Sequence, residues 1–143
     1  MSIANRFGAA IAAAALLLLA GGAPASAQQA GVALVGAAQV PPVETVATGI
    51  ALIAVGEDGA VSGRIETRGI GQIIAVHVHA GAPGTNGPVV ITLDKSSDGN
   101  IWTIPDGARL ADADYRAYLA GHLYINVHSD EYKAGELRGQ LKP

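Results

Sequence analysis

The sequence predicts an all-β fold, an antiparallel β-sandwich or flattened Greek-key barrel with one short helix, following an N-terminal signal peptide. Three observations carry this. The 143-residue chain holds nineteen glycines and seven prolines that cut it into short segments. Those segments are rich in Val and Ile and alternate with period two. Only one stretch, Asp112 to Gly121, suits a helix.

The first 27 residues stand apart from the rest. Arg6 is the one charge before Glu44, and an apolar block from Ala9 to Ala20 follows it. The block ends in Ala25, Ser26 and Ala27, the Ala-x-Ala pattern of a secretory cleavage site. It is shorter than the ~20 apolar residues a membrane span needs. Residues 1–27 are therefore expected to be a Sec-type signal peptide, with no twin-arginine pair and no cysteine for lipid attachment. The expected destination is the periplasm or the medium, with no membrane association once the leader is removed.

Residues 28–143 remain as one domain, long enough to bury a core without covalent staples. Without Arg6, eight Lys and Arg face twelve acids, a net charge of −4. No basic run is interleaved with aromatics, which argues against nucleic acid. There is no cysteine, and the single methionine is Met1. The expected mature chain therefore has no sulfur ligand.

The elements follow in order. Gly31 to Val35 reads as a first strand, closed by Gly36 and by Pro41-Pro42. Val46 to Val55 is apolar on both faces, as in a central strand. Gly56 to Gly59 is a hairpin turn with Asp58-Gly59 as its tight step. Val61 to Thr67 alternates, placing Val61, Gly63 and Ile65 opposite Ser62, Arg64 and Glu66. In Ile73 to His79, Ile74, Val76 and Val78 share one face and Ala75, His77 and His79 the other. Gly81 to Pro88 is a loop turning at Asn86-Gly87, and Val89 to Leu93 is a strand. Asp94 to Asn100 reads as a polar turn. Asp112 and Asp114 cap the helix and Gly121 stops it. His122 to His128 puts Leu123, Ile125 and Val127 opposite His122, Tyr124, Asn126 and His128. Glu136 to Leu141 is the last strand, with Leu137 and Leu141 opposite Glu136, Arg138 and Gln140.

His77 and His79 lie on one side of one strand, about 6.6 Å apart along it. Two imidazoles at that spacing can converge on one ion. His128 occupies the equivalent face of a later strand. Three imidazoles without thiolate or thioether suit Cu(II), with Zn(II) as the alternative. The missing sulfur excludes a blue-copper centre and a methionine-rich Cu(I) carrier. His122 is about 20 Å from His128 in an extended strand and belongs to the surface or the helix end. The competing reading is a metal-free polar layer in which Tyr124, Asn126 and the imidazoles satisfy one another. Such a module would serve interaction, its sheet face or Gly-rich loop meeting a cell-surface or secreted protein. The Gly81–Pro88 loop lacks the Lys-Ser/Thr pair of a phosphate cradle. Glu136 and Arg138, two residues apart on one face, are expected to form a local ion pair. Neither a nucleophile-elbow serine nor paired carboxylates are present, so hydrolysis is disfavoured and no catalytic residue is assigned.

Three segments together resemble the CHRD (chordin) domain family: Leu34 to Gly49 with its Gln39-Val40-Pro41-Pro42 element, His77 to Val90, and Leu119 to Leu141. They occur in order and span nearly all of residues 28–143. Gln39 stands where that family usually has glutamate, Leu137 where isoleucine is commoner, and Asp130 to Lys133 replaces a more neutral loop. The resemblance implies an exported β module. The family is named from animal proteins that bind secreted growth factors, a role not carried over to this chain. A more distant likeness is to the copper–zinc superoxide dismutase sandwich. It implies that His77, His79 and His128 match copper ligands, while Arg138 falls one residue from where that protein's anion-guiding arginine would sit. Arg138, Asn126 and Tyr124 are expected to stand behind the three histidines. The likeness also raises a redox enzyme as a third reading. The zinc-loop ligands and the cysteines of that protein have no counterpart here.

Overall fold

The computed structural model describes residues 31–143. The expected signal peptide therefore lies outside the described residues. Nine strands and one helix follow the chain as β1 (Gly31–Val35), β2 (Thr48–Val55), β3 (Val61–Arg68), β4 (Ile73–Ala80), β5 (Val89–Thr92), β6 (Asp94–Lys95), β7 (Ile101–Thr103), α1 (Asp112–Leu119), β8 (Leu123–Ser129) and β9 (Leu137–Gln140). A single 3₁₀ turn, Gly36–Ala38, follows β1.

The strands form one antiparallel sheet in the order β5-β4-β8-β9-β1-β2-β3-β7-β6. Its two ends, β5 and β6, are separated in the chain by Leu93 alone. One bent stretch of backbone therefore serves as both edges, and the sheet curls into a nearly closed, flattened barrel. Closure of this kind removes the exposed edges at which sheets aggregate. Leu93 donates its N–H to Val76 of β4 and is 2% exposed.

Alternation supplies the core. Leu34, Ala51, Ile65, Val76, Leu123, Ile125, Val127 and Leu137 are wholly buried inside the barrel. At Gly63 the backbone has φ +126°, and a Cβ there would meet the Leu52 carbonyl. Only glycine lets β3 lie against β2 at that point.

Several elements differ from expectation for local reasons. Ile74 does not share the inner face of Val76: the β4–β8 register shifts between Ile73 and Ala75, so Ile73 is buried and Ile74 is 45% exposed. Val46 lies outside β2 and is 91% exposed. The segment Asp94 to Asn100 is not wholly turn, because Asp94 and Lys95 pair with Thr103 and Trp102 of β7. That three-residue strand is too short to show a period. The Gly81–Pro88 loop turns at Ala82–Thr85, not at Asn86-Gly87; Gly84 takes φ +78° and the Thr85 N–H bonds the Ala82 carbonyl. Asp112 and Asp114 sit inside the first turn of α1 instead of before it, and the N-cap is Ala111 without a side-chain bond. Their charges still favour the helix N-terminus. Gly121, at φ +74°, ends the helix as expected.

Replacing Leu93 by alanine opens a cavity at the point of closure. It should lower unfolding free energy by about 2–5 kcal/mol, measured by urea denaturation monitored through the single tryptophan.

Candidate metal centre

Strands β4, β8 and β9 are neighbours, and their outward residues form a polar layer. Across β4 and β8, His77 pairs with Asn126, His79 with Tyr124 and Ala75 with His128. Across β8 and β9, Asn126 pairs with Arg138 and Tyr124 with Gln140. His128 is thus diagonal to His77, across from the small Ala75, and its ring leans toward the His-x-His pair.

The three histidines converge. One ring nitrogen from each of His77, His79 and His128 lies within 4.8 Å of the others. Nδ1 of His77 is 3.1 Å from Nε2 of His128. Ring centroids are 5.4 Å apart for His77 and His79, and 6.1 Å for His79 and His128. With metal–nitrogen bonds of about 2.0–2.1 Å, a 3.1 Å separation subtends about 100° at an ion. Two nitrogens on one ion lie at most about 4.2 Å apart, so the widest separation that 4.8 Å allows closes with a sub-ångström ring movement.

Backbone carbonyls fix two tautomers. Nδ1 of His79 donates to the Gly87 carbonyl at 2.8 Å, and Nδ1 of His128 donates to that of Lys133 at 2.9 Å. Both residues are left with an Nε2 lone pair, the orientation metal-binding histidines acquire from outer partners; that of His128 accepts the Nδ1 hydrogen of His77 at 3.1 Å. His79 is 8% exposed, and its Nε2 is buried without any hydrogen-bond partner. Buried polar atoms rarely go unpaired. The polar layer satisfies itself in part: Nδ1 of His77 and Nε2 of His128 bond each other, and Nε2 of His79 is the atom left over.

Burial, and then the nearness of His128 and His79, lower the pKa of His77 below its usual 6.5. Burial also lowers that of His79, more than the Gly87 hydrogen bond raises it, and His128 and Arg138 push it the same way. Both shifts favour the neutral ring, the form that serves as a ligand.

The remaining polar groups are tied down. Tyr124 stacks on His79, centroids 5.0 Å apart and planes within 11°. Cζ of Arg138 stands 3.6 Å over the Tyr124 ring. Asn126 accepts from Nε2 of Gln39 at 2.6 Å and donates to the Ala134 carbonyl. The expected Glu136–Arg138 ion pair is absent. Glu136 instead accepts from Thr45 at 2.7 Å and Ser129 at 2.5 Å, while Arg138 donates to neutral oxygens. The hydroxyls of Thr45 and Ser129 occupy both carboxylate oxygens of Glu136, and oxygens of the Gly81–Pro88 loop take the guanidinium, so neither side chain needs the other. His122 is exposed at the end of α1, apart from the cluster, as its spacing implied.

The histidines and their strand faces were readable from the period of two. The Gly87 and Lys133 carbonyls were not, because backbone acceptors leave no mark in a sequence. Gln39 was visible only as a departure from a family pattern.

A near-closed β barrel with three convergent imidazoles defines a small all-β domain with a candidate metal site. Comparison with known families matches the CHRD domain over residues 30–141, and the chain belongs to that family. No curated protein and no solved structure matches it. No described helix is long and apolar enough to cross a membrane.

The lowered pKa values fix a sign. Unfolding restores His77 and His79 to about 6.5, so the unfolded chain takes up protons first as pH falls. Stability from these groups is full above pH 6.5 and is lost as pH drops toward their folded values. Urea midpoints of the metal-free domain should fall between pH 7.5 and 5.5. The fall should be smaller in the His77→Gln/His79→Gln double variant.

Proposed function

We propose that this chain is an exported CHRD-domain protein that binds one metal ion, copper, through His77, His79 and His128. The supporting observation is Nε2 of His79, buried without a partner beside two further imidazoles while Nδ1 is committed to a carbonyl. Three neutral nitrogens at this spacing suit Cu(II), which binds nitrogen sites more tightly than the other divalent first-row ions. Zinc is the competitor on the same ligands. Three protein ligands leave a further coordination position for water or a small ligand.

Export rests on the leader pattern at residues 1–27. The product recovered outside the cytoplasm should begin at Gln28, as intact mass will show. Retention of residues 1–27 would refute this.

Titration of the mature domain with Cu(II) by calorimetry should give one site per chain, abolished in His79→Ala and in His128→Ala. Binding should weaken as pH falls, because protons compete with the metal for the ligand nitrogens. Unchanged binding in both variants would sink the assignment. Capture of an extracellular protein that is insensitive to chelator would instead favour the metal-free interaction module.

A further inference from the structure

We infer that Arg138 is a positioning residue of the candidate metal centre, fixing the orientation and tautomer of His79 through Tyr124 and the Gly81–Pro88 loop. As a statement about metal binding it rests on the three-histidine reading; as a statement about His79 it does not.

Arg138 is 1% exposed and has no carboxylate partner; the ion pairs among the described residues are Arg64–Glu66 and Arg109–Asp58. A buried cation needs compensation. Here it comes from neutral oxygens aimed at the guanidinium. Nη2 donates to the carbonyl of Thr85 at 2.8 Å, and at 3.3 Å to that of Ala82 and to Oε1 of Gln140. Nη1 donates to Oδ1 of Asn86 at 3.1 Å. Three of these four acceptors belong to the loop between β4 and β5. A planar fork can hold several oxygens at fixed angles in a way an ammonium cannot.

The loop is what holds His79. The Gly87 carbonyl takes the His79 Nδ1 proton, and the Gly87 N–H donates to the Tyr124 hydroxyl at 3.1 Å. Asn86, one residue earlier, accepts from Arg138 and donates to the Val40 carbonyl at 2.9 Å. Gly87 itself admits no side chain, since a Cβ there would overlap the Ala80 carbonyl. The second route is the ring stack. Strand β8 lies between β4 and β9, so Tyr124 stands between His79 and the guanidinium. Arg138 therefore restrains His79 from its Nδ1 side through the loop and against its ring face through Tyr124.

Charge and geometry make opposite predictions. A cation near His79 repels another cation, so a purely electrostatic Arg138 would weaken metal binding and its removal would tighten it. A pin does the reverse. Outer-partner losses at metal sites typically cost 10–100-fold in affinity.

The test uses the mature domain with Arg138→Gln, which loses charge and fork, and Arg138→Lys, which keeps the charge. Asn86→Ala, on the exposed loop, releases one arm should the Arg138 variants not fold. Val61→Ala, a core change on β3, controls for stability alone. Nitrogen-15 NMR of the metal-free wild type should show a slowly exchanging Nδ1 proton on His79. Exchange should quicken in both Arg138 variants, quicken partly in Asn86→Ala and stay slow in Val61→Ala. Cu(II) affinity should fall 10–100-fold in both Arg138 variants, with a changed EPR signature. Unchanged exchange in Arg138→Lys and Arg138→Gln would overturn the inference, as would tighter Cu(II) binding in Arg138→Gln. If the wild type takes no Cu(II), the metal reading fails, and the His79 proton still decides the role of Arg138.

Discussion

A sheet that closes on itself buries its inner face as core, and on β4, β8 and β9 the outer face is largely covered as well. Every polar group on that outer face must then find a partner within the protein. This constraint organises the three loops that close over the layer. The Gly36–Val43 segment brings Gln39 to Asn126, the Gly81–Pro88 loop brings carbonyls to Arg138 and His79, and the Asp130–Gly135 loop brings carbonyls to His128 and Asn126. The loops are shaped by the hydrogen bonds the layer demands.

Nε2 of His79 is the exception on that layer. Trp102 Nε1 is the other buried side-chain atom among the described residues without a partner, but it stands alone on β7 within the apolar core. The His79 atom has two imidazoles beside it, and that company makes its bareness chemically informative. The absence of a carboxylate at Arg138 adds to this. With Glu136 turned to hydroxyl partners, the layer carries a positive charge balanced only by dipoles and one π face. Burial keeps His77 and His79 unprotonated more readily than water would, and at His79 the Arg138 charge adds to this.

The parity of the strands was legible from residue types alone. Val76 and Val78 against His77 and His79, and Leu123, Ile125 and Val127 against Tyr124, Asn126 and His128, gave the correct faces over most of their length. Parity failed where a bulge intervened, at Ile73 and Ile74, because one inserted residue reverses the pattern without altering composition. The turn of the Gly81–Pro88 loop fell on Pro83-Gly84, since Asn86 was already engaged by Arg138 and Val40. Glu136 and Arg138 were assigned to each other from spacing, which says nothing about the partners other strands supply.

By itself the sequence determined an all-β fold, the absence of cysteine and three histidines on matching strand faces, and it set the expectation of a leader at residues 1–27. These follow from side-chain period and composition, which are local properties. Tertiary structure alone decided that β4 and β8 are neighbours, that the diagonal register sets His77 and His128 3.1 Å apart, and that the chain passing through Leu93 closes the sheet. It also decided which ring nitrogens of His79 and His128 carry the proton, because the carbonyls of Gly87 and Lys133 are backbone atoms whose positions depend on how whole loops pack.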